Sequence, residues 1–107
     1  MNEVRVRGRV ASAPQARTLP SGDELWTFRL VVPRSPQQPR TDGRRAARSD
    51  WMTCTVWTAR CRRAVSRWSE GDEVEVEGAL RRRHYRTPTG ATSVLEVEVA
   101  AARRARG

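Results

Sequence analysis

Lysine is absent from this 107-residue chain, so every one of its 21 basic residues is an arginine. Histidine occurs once, at His84, and cysteine twice, at Cys54 and Cys61. Those numbers leave too few ligands for a structural zinc site, and two buried free thiols are expected instead. No apolar run approaches the ~20 residues that a membrane-spanning helix needs. The N-terminus alternates at once through Glu3, Val4, Arg5, Val6 and Arg7 and shows no secretory leader pattern. A cytoplasmic protein is therefore expected. No serine or cysteine stands in a recognisable nucleophile setting, and glycine motifs that cradle triphosphates are missing. The carboxylates Glu73, Glu75 and Glu77 line one strand surface and do not converge on a cleft. The expectation is a protein without catalysis, metal or cofactor.

Hydrophobic residues make up 37% of the chain, enough for a small core in one domain. The net charge is +9, and that excess points to a polyanionic partner. Arginine forks onto phosphates and stacks on bases in ways lysine does not. A high-GC coding bias would also replace lysine with arginine, but it would not create the surplus of positive charge.

The chain is organised around residues 51–68. Trp51, Thr53, Thr55 and Trp57 alternate with Met52, Cys54 and Val56, the period of a half-buried strand. Cys61, Ala64, Val65 and Trp68 then fall at helical spacing, with arginines between them. Residues 3–10 read as a first strand, with Val4, Val6, Gly8 and Val10 on one face and Arg5, Arg7 and Arg9 on the other. Those arginines either track phosphates or form a solvated edge. Gly8 marks a bend or a close backbone approach. Residues 11–24, with Pro14, Pro20 and Gly22, read as a linker. Residues 25–32 form a second strand. Trp26 shares the parity of Phe28 and Leu30, and core or edge packing is expected for it.

Residues 33–50 carry Arg34, Arg40, Arg44, Arg45 and Arg48 among prolines and no aromatic ring. They read as a long basic loop that can fold onto nucleic acid. A fourth strand begins at Glu73, with Val74, Val76, Gly78 and Leu80 facing in and an acidic stripe facing out. It continues through Arg81, Arg83, Tyr85 and Arg86 to a turn at residues 87–90. The last strand, residues 92–101, is expected to point Leu95, Val97 and Val99 inward and Val94, Glu96 and Glu98 outward.

The order strand, strand, strand, helix, strand, strand is that of an all-β OB-fold, a five-stranded Greek-key barrel with a short helix between strands three and four. Residues 1–102 make that domain, and 103–107 are expected to be a frayed basic end. The helix caps the barrel, with Trp68 as a core plug. Trp51, Trp57 and Tyr85 would then lie on the platform that such barrels offer to oligonucleotides. Rings stack on any base and flanking arginines neutralise phosphates, a combination suited to single strands. Cross-strand packing or a subunit interface is the competing role for Trp51 and Trp57.

Several pieces together resemble the bacterial single-stranded DNA-binding protein family in its DNA-binding domain. They are Val6-Arg7-Gly8-Arg9-Val10, Leu19-Pro20-Ser21-Gly22, the run from Trp51 to Trp57, the run from Gly71 to Leu80, and Glu96-Val97-Glu98-Val99. The resemblance is to an actinobacterial or paralogous member. It implies stacking aromatics at the positions of Trp51, Trp57 and Tyr85, and binding of single-stranded DNA in replication, recombination or repair. It also implies a homotetramer, with a homodimer as the alternative, and replication or repair proteins as further partners. Family members usually continue into a flexible tail with an acidic tip. This sequence ends on a basic stretch, so either a chain cut after the domain or a tailless paralogue is expected. Small primosomal OB proteins also lack the tail, which keeps open an adaptor whose aromatic face binds a protein. Single-stranded RNA is a further alternative, because stacking does not sense the 2′-hydroxyl.

Overall fold

The computed structural model describes residues 1–34 and 49–105, with the backbone alone at Tyr85 and Thr87. Arg40, Arg44, Arg45 and Arg48, in the basic loop, lie outside the described residues. Five strands and one helix follow in order: β1 (Val4–Thr18), β2 (Glu24–Pro33), β3 (Ser49–Val56), α1 (Ala59–Val65), β4 (Glu73–Thr87) and β5 (Gly90–Arg104). They close into a barrel in the order β1-β2-β3-β5-β4. The β3–β5 pairing is parallel and the other pairings are antiparallel. This is the expected OB-fold.

Closure depends on β1, which is far longer than the sequence pattern indicates. Its first half pairs with β4, from Val4↔Gly78 to Arg9↔Glu73, and its second half pairs with β2, ending at Thr18↔Glu24. The stretch 11–18, expected as a linker, is strand. Two register shifts, between Val10 and Ser12 and between Ser12 and Gln15, bend it from one neighbour to the other. Pro14 sits inside the second shift, where the ladder requires no N–H from it. Bulges reset the alternation that sequence reading relies on.

The core is the inward set of all five strands: Val10, Phe28, Leu30, Cys54, Val56, Val74, Val76, Val97 and Val99. Thr58 caps α1 by accepting the Cys61 N–H at 3.3 Å, and Cys61 and Val65 face the barrel. Trp68 lies just past the helix and stays buried, its ring edge-on to Phe28 at 5.4 Å. Trp26 is half-buried and packs against the same cluster. At Gly8 and Gly78 neighbouring strands approach too closely for a side chain. A Cβ at Gly8 would meet the Val31 carbonyl, and one at Gly78 the Glu98 carbonyl.

Burial pushes the Cys54 thiol up to about 12, with the charge of Glu96 adding to the effect. The native thiol stays protonated and covered, so iodoacetamide at pH 8 should label Cys54 only after denaturation. Uptake of label by the folded protein would show that the barrel opens there. The sign for stability also follows. The unfolded thiol ionises above its ordinary value near 9 while the folded one does not, so this group's contribution falls as pH rises from about 9 to 12.

Three expectations need correction. Leu95 is exposed at 41% and Leu80 at 38%, although both have inward parity. There β4 and β5 run on past the core as a two-stranded arm, pairing as far as Thr87↔Gly90. Glu96, expected to face solvent, is only 2% exposed. The end expected to fray is ordered as far as Ala105. Arg103 pairs with Glu75 at 2.9 Å, Arg104 donates to the Arg67 carbonyl at 2.9 Å, and the Ala105 N–H donates to Glu73 O at 2.9 Å.

Candidate nucleic-acid interface

The registers align one row of outward residues across the whole barrel. Ser12 on β1 lies opposite Arg29 on β2, Arg29 opposite Thr53 on β3, Thr53 opposite Glu96 on β5, and Glu96 opposite Arg81 on β4. The curled second half of β1 rises beside this row. Between them lies an open cleft of about 380 Å³, lined by Ser12, Gln15, Arg17, Thr27, Arg29, Thr53 and Glu96 among others. Glu96 is therefore on the outward side of the sheet yet at the floor of a cleft, which explains its burial.

Trp51 sits one step along β3, opposite Val31, and is 61% exposed. The Arg29 guanidinium lies over its ring, 4.7 Å from the centroid. Trp57 follows the end of β3 and is half-buried, with the Arg83 guanidinium 5.0 Å from its ring centroid. Its indole N–H is buried with no hydrogen-bond partner among the described residues. Arg83 in turn donates its Nε–H to Glu96 Oε2 at 3.0 Å. The structure thus joins Trp51, Arg29, the cleft floor, Glu96, Arg83 and Trp57 into one continuous surface. Cationic and aromatic groups backed by a strand floor suit a chain that carries both phosphates and flat rings.

The other candidate residues distribute as follows. Arg81 pairs with Glu98 at 3.4 Å, and Arg86 is exposed on the arm. Tyr85 stands two residues beyond Arg83 on β4, its backbone opposite Thr92. Arg34 forks onto Asp50 at 2.7 and 2.8 Å, and its hydrogen bonds hold that carboxyl below its ordinary range. Arg5 and Arg7 meet the acidic stripe. Arg5 reaches Glu77 at 3.1 Å, and Arg7 reaches Glu73 at 3.4 Å. Arg103 completes this ladder on Glu75 and Glu77, and its hydrogen bond, with Arg5 beside it, holds Glu77 below the usual carboxylate range. Exposed pairs of this kind add little to stability. Sequence reasoning did not single out Arg29, Arg17 or Glu96. The signal for Arg29 was present: it shares the outward parity of β2 and has Thr53 beside it.

Among the described residues no group of histidine, cysteine or acidic side chains is placed to hold a metal ion. Nor is any helix among them long and apolar enough to cross a membrane.

Residues 1–104 match the model of the single-strand binding protein family. The chain belongs to the single-strand binding protein family. Single-stranded DNA-binding protein 1 of Staphylococcus aureus is 30% identical over 90 residues, covering 84% of this chain and 52% of the relative. The single-stranded DNA-binding protein of Thermotoga maritima is 30% identical over 99 residues, covering 92% of this chain and 69% of that one. The chain thus spans about half the length of the Staphylococcus member of the family. Among solved structures, a Plasmodium falciparum SSB complex with ssDNA superposes with a TM-score of 0.81 at 20% identity, covering 99% of this chain and 96% of that one. At that identity the likeness speaks for the shared barrel alone.

Proposed function

We propose that the chain binds single-stranded DNA, without catalysis and with little regard to sequence, along the surface from Trp51 to Trp57. The observation that carries this reading is the exposure of Trp51 beside Arg29 and the cleft. A flat ring presented to solvent next to a guanidinium is a platform for any base, since every base has a π-face. Duplex DNA keeps its bases stacked on one another and offers no partner for such a ring. Family membership supports the same reading, as do the names of the relatives. We place Tyr85 and the arginines of the 33–50 loop on the same path. The protein would act as a homo-oligomer in the cytoplasm, covering strands exposed in replication, recombination or repair.

A titration tests it. Tryptophan fluorescence should fall as oligo(dT) is added, and log affinity should drop linearly with log salt, with a slope of roughly −0.7 per phosphate neutralised. The same titration with single-stranded RNA and with duplex DNA sets the ligand class. Equal binding of duplex, or no quenching by any single strand, overturns the proposal.

A further inference from the structure

Glu96 is the one charged side chain that the fold buries among the described residues. Its presence there is unexpected on two counts. Removing a carboxylate from water costs about as much as pairing it returns, so a buried ion pair is weak evidence of a need for stability. A negative charge at the floor of a surface meant for a polyanion also repels the ligand. The geometry shows what it does instead. Glu96 is fixed on β5, opposite Thr53 and Arg81, inside the barrel wall. Arg83 stands on the arm, where β4 has left the core, and is mostly covered. Glu96 accepts its Nε–H at 3.0 Å, and the same guanidinium lies over Trp57 at 5.0 Å. The corresponding couple at Trp51 is built differently, for Arg29 is exposed and has no ion-pair partner among the described residues.

We propose that Glu96 is a positioning residue that locks Arg83 over Trp57, so that this ring meets a base with its cation already held in place, while the Arg29 guanidinium over Trp51 is held by no carboxylate among the described residues. The proposal rests on the single-stranded DNA reading for its purpose, though not for its geometry. A guanidinium anchored by a rigid carboxylate loses less freedom when a base arrives, and preorganisation of this kind raises affinity without new contacts. The carboxylate's own repulsion opposes that gain, and the sign of the net effect decides between them.

The experiment uses Glu96→Gln, which keeps the side chain's shape and removes its charge, with thermal melting to show that the barrel is folded. In the free protein, nitrogen-15 NMR should show the Arg83 Nε–H shifted by the Trp57 ring in the wild type and released in the variant. Affinity for oligo(dT) should then fall by about 3- to 30-fold, the range expected when a cation–π interaction is removed. Arg83→Lys keeps the positive charge and loses the planar fork. It should weaken binding by a similar factor with an unchanged salt slope, and it serves if the glutamine variant does not fold. Tighter or unchanged binding by Glu96→Gln shows that holding Arg83 brings no net gain in affinity, and the proposal fails. Retention of the Arg83 signal in that variant overturns the locking itself. If the wild type binds no oligo(dT), the DNA reading fails, and the NMR arm alone then decides whether Glu96 holds Arg83.

Discussion

Trp51→Ala combined with Trp57→Ala should weaken binding of oligo(dT) by about 2–6 kcal/mol, roughly 30-fold to 10⁴-fold, because each stack contributes about 1–3 kcal/mol. The two sites should act almost independently. Six residues of extended chain put the rings about 20 Å apart, beyond the range at which substitutions usually couple. The single variants should nevertheless differ in stability. Trp51 is exposed on a paired stretch of β3, so its loss should leave the melting temperature nearly unchanged. Trp57 is half-buried under Arg83, so truncation there removes packing as well as a stacking surface. Trp57→Phe keeps a ring in place and separates the two effects. Fluorescence anisotropy of labelled oligo(dT), with circular dichroism as a check on folding, measures both. A doubly substituted, folded protein that binds as the wild type does would remove these rings from the interface. A change of oligomeric state with binding intact would assign them to subunit contacts.

Gly78→Ala should lower stability by about 3 kcal/mol or more, the upper end of what overpacking costs. For a domain of this size that is a fall of about 12–24 °C in melting temperature. The obstacle is backbone and not a side chain that can swing aside. The added methyl would strike the Glu98 carbonyl and crowd Val99. Glu98 is tied to Thr55 on its other side, so β5 cannot retreat without breaking the parallel pairing that closes the barrel. The register shift between Glu77 and Gly78 brings the strands together at that point. Melting followed by circular dichroism checks it, and a shift of only a few degrees would mean that the two strands can separate locally at little cost.

The barrel was legible in the sequence because its inward residues keep strict alternation where strands are regularly paired. Val74 and Val76 on β4 and Cys54 and Val56 on β3 were placed correctly by period alone. The second half of β1 was hidden because Pro14 and two register shifts break the pattern, and because Ser12, Gln15 and Arg17 line a cleft and not the core. Glu96 shows a different limit. Alternation tells which side of a sheet a residue faces; it does not tell what covers that side. The arm of β4, the curl of β1 and the floor between them come together only in three dimensions. The outward exposure of Trp51 was legible from its strand position, whereas the guanidinium over it, from Arg29, depends on the β2–β3 register.

On the single-stranded DNA reading, the ladder along the β1–β4 seam bears on how a strand would approach the protein. Arg5, Arg7 and Arg103 face Glu73, Glu75 and Glu77, so the charges of these six side chains cancel. The entire net charge of +9 is therefore carried by the rest of the molecule. Those six side chains therefore add no net pull on a polyanion, whereas the exposed Arg29 beside Trp51 does. On the proposed reading, a single strand would be drawn past the seam toward the Trp51–Arg29 surface.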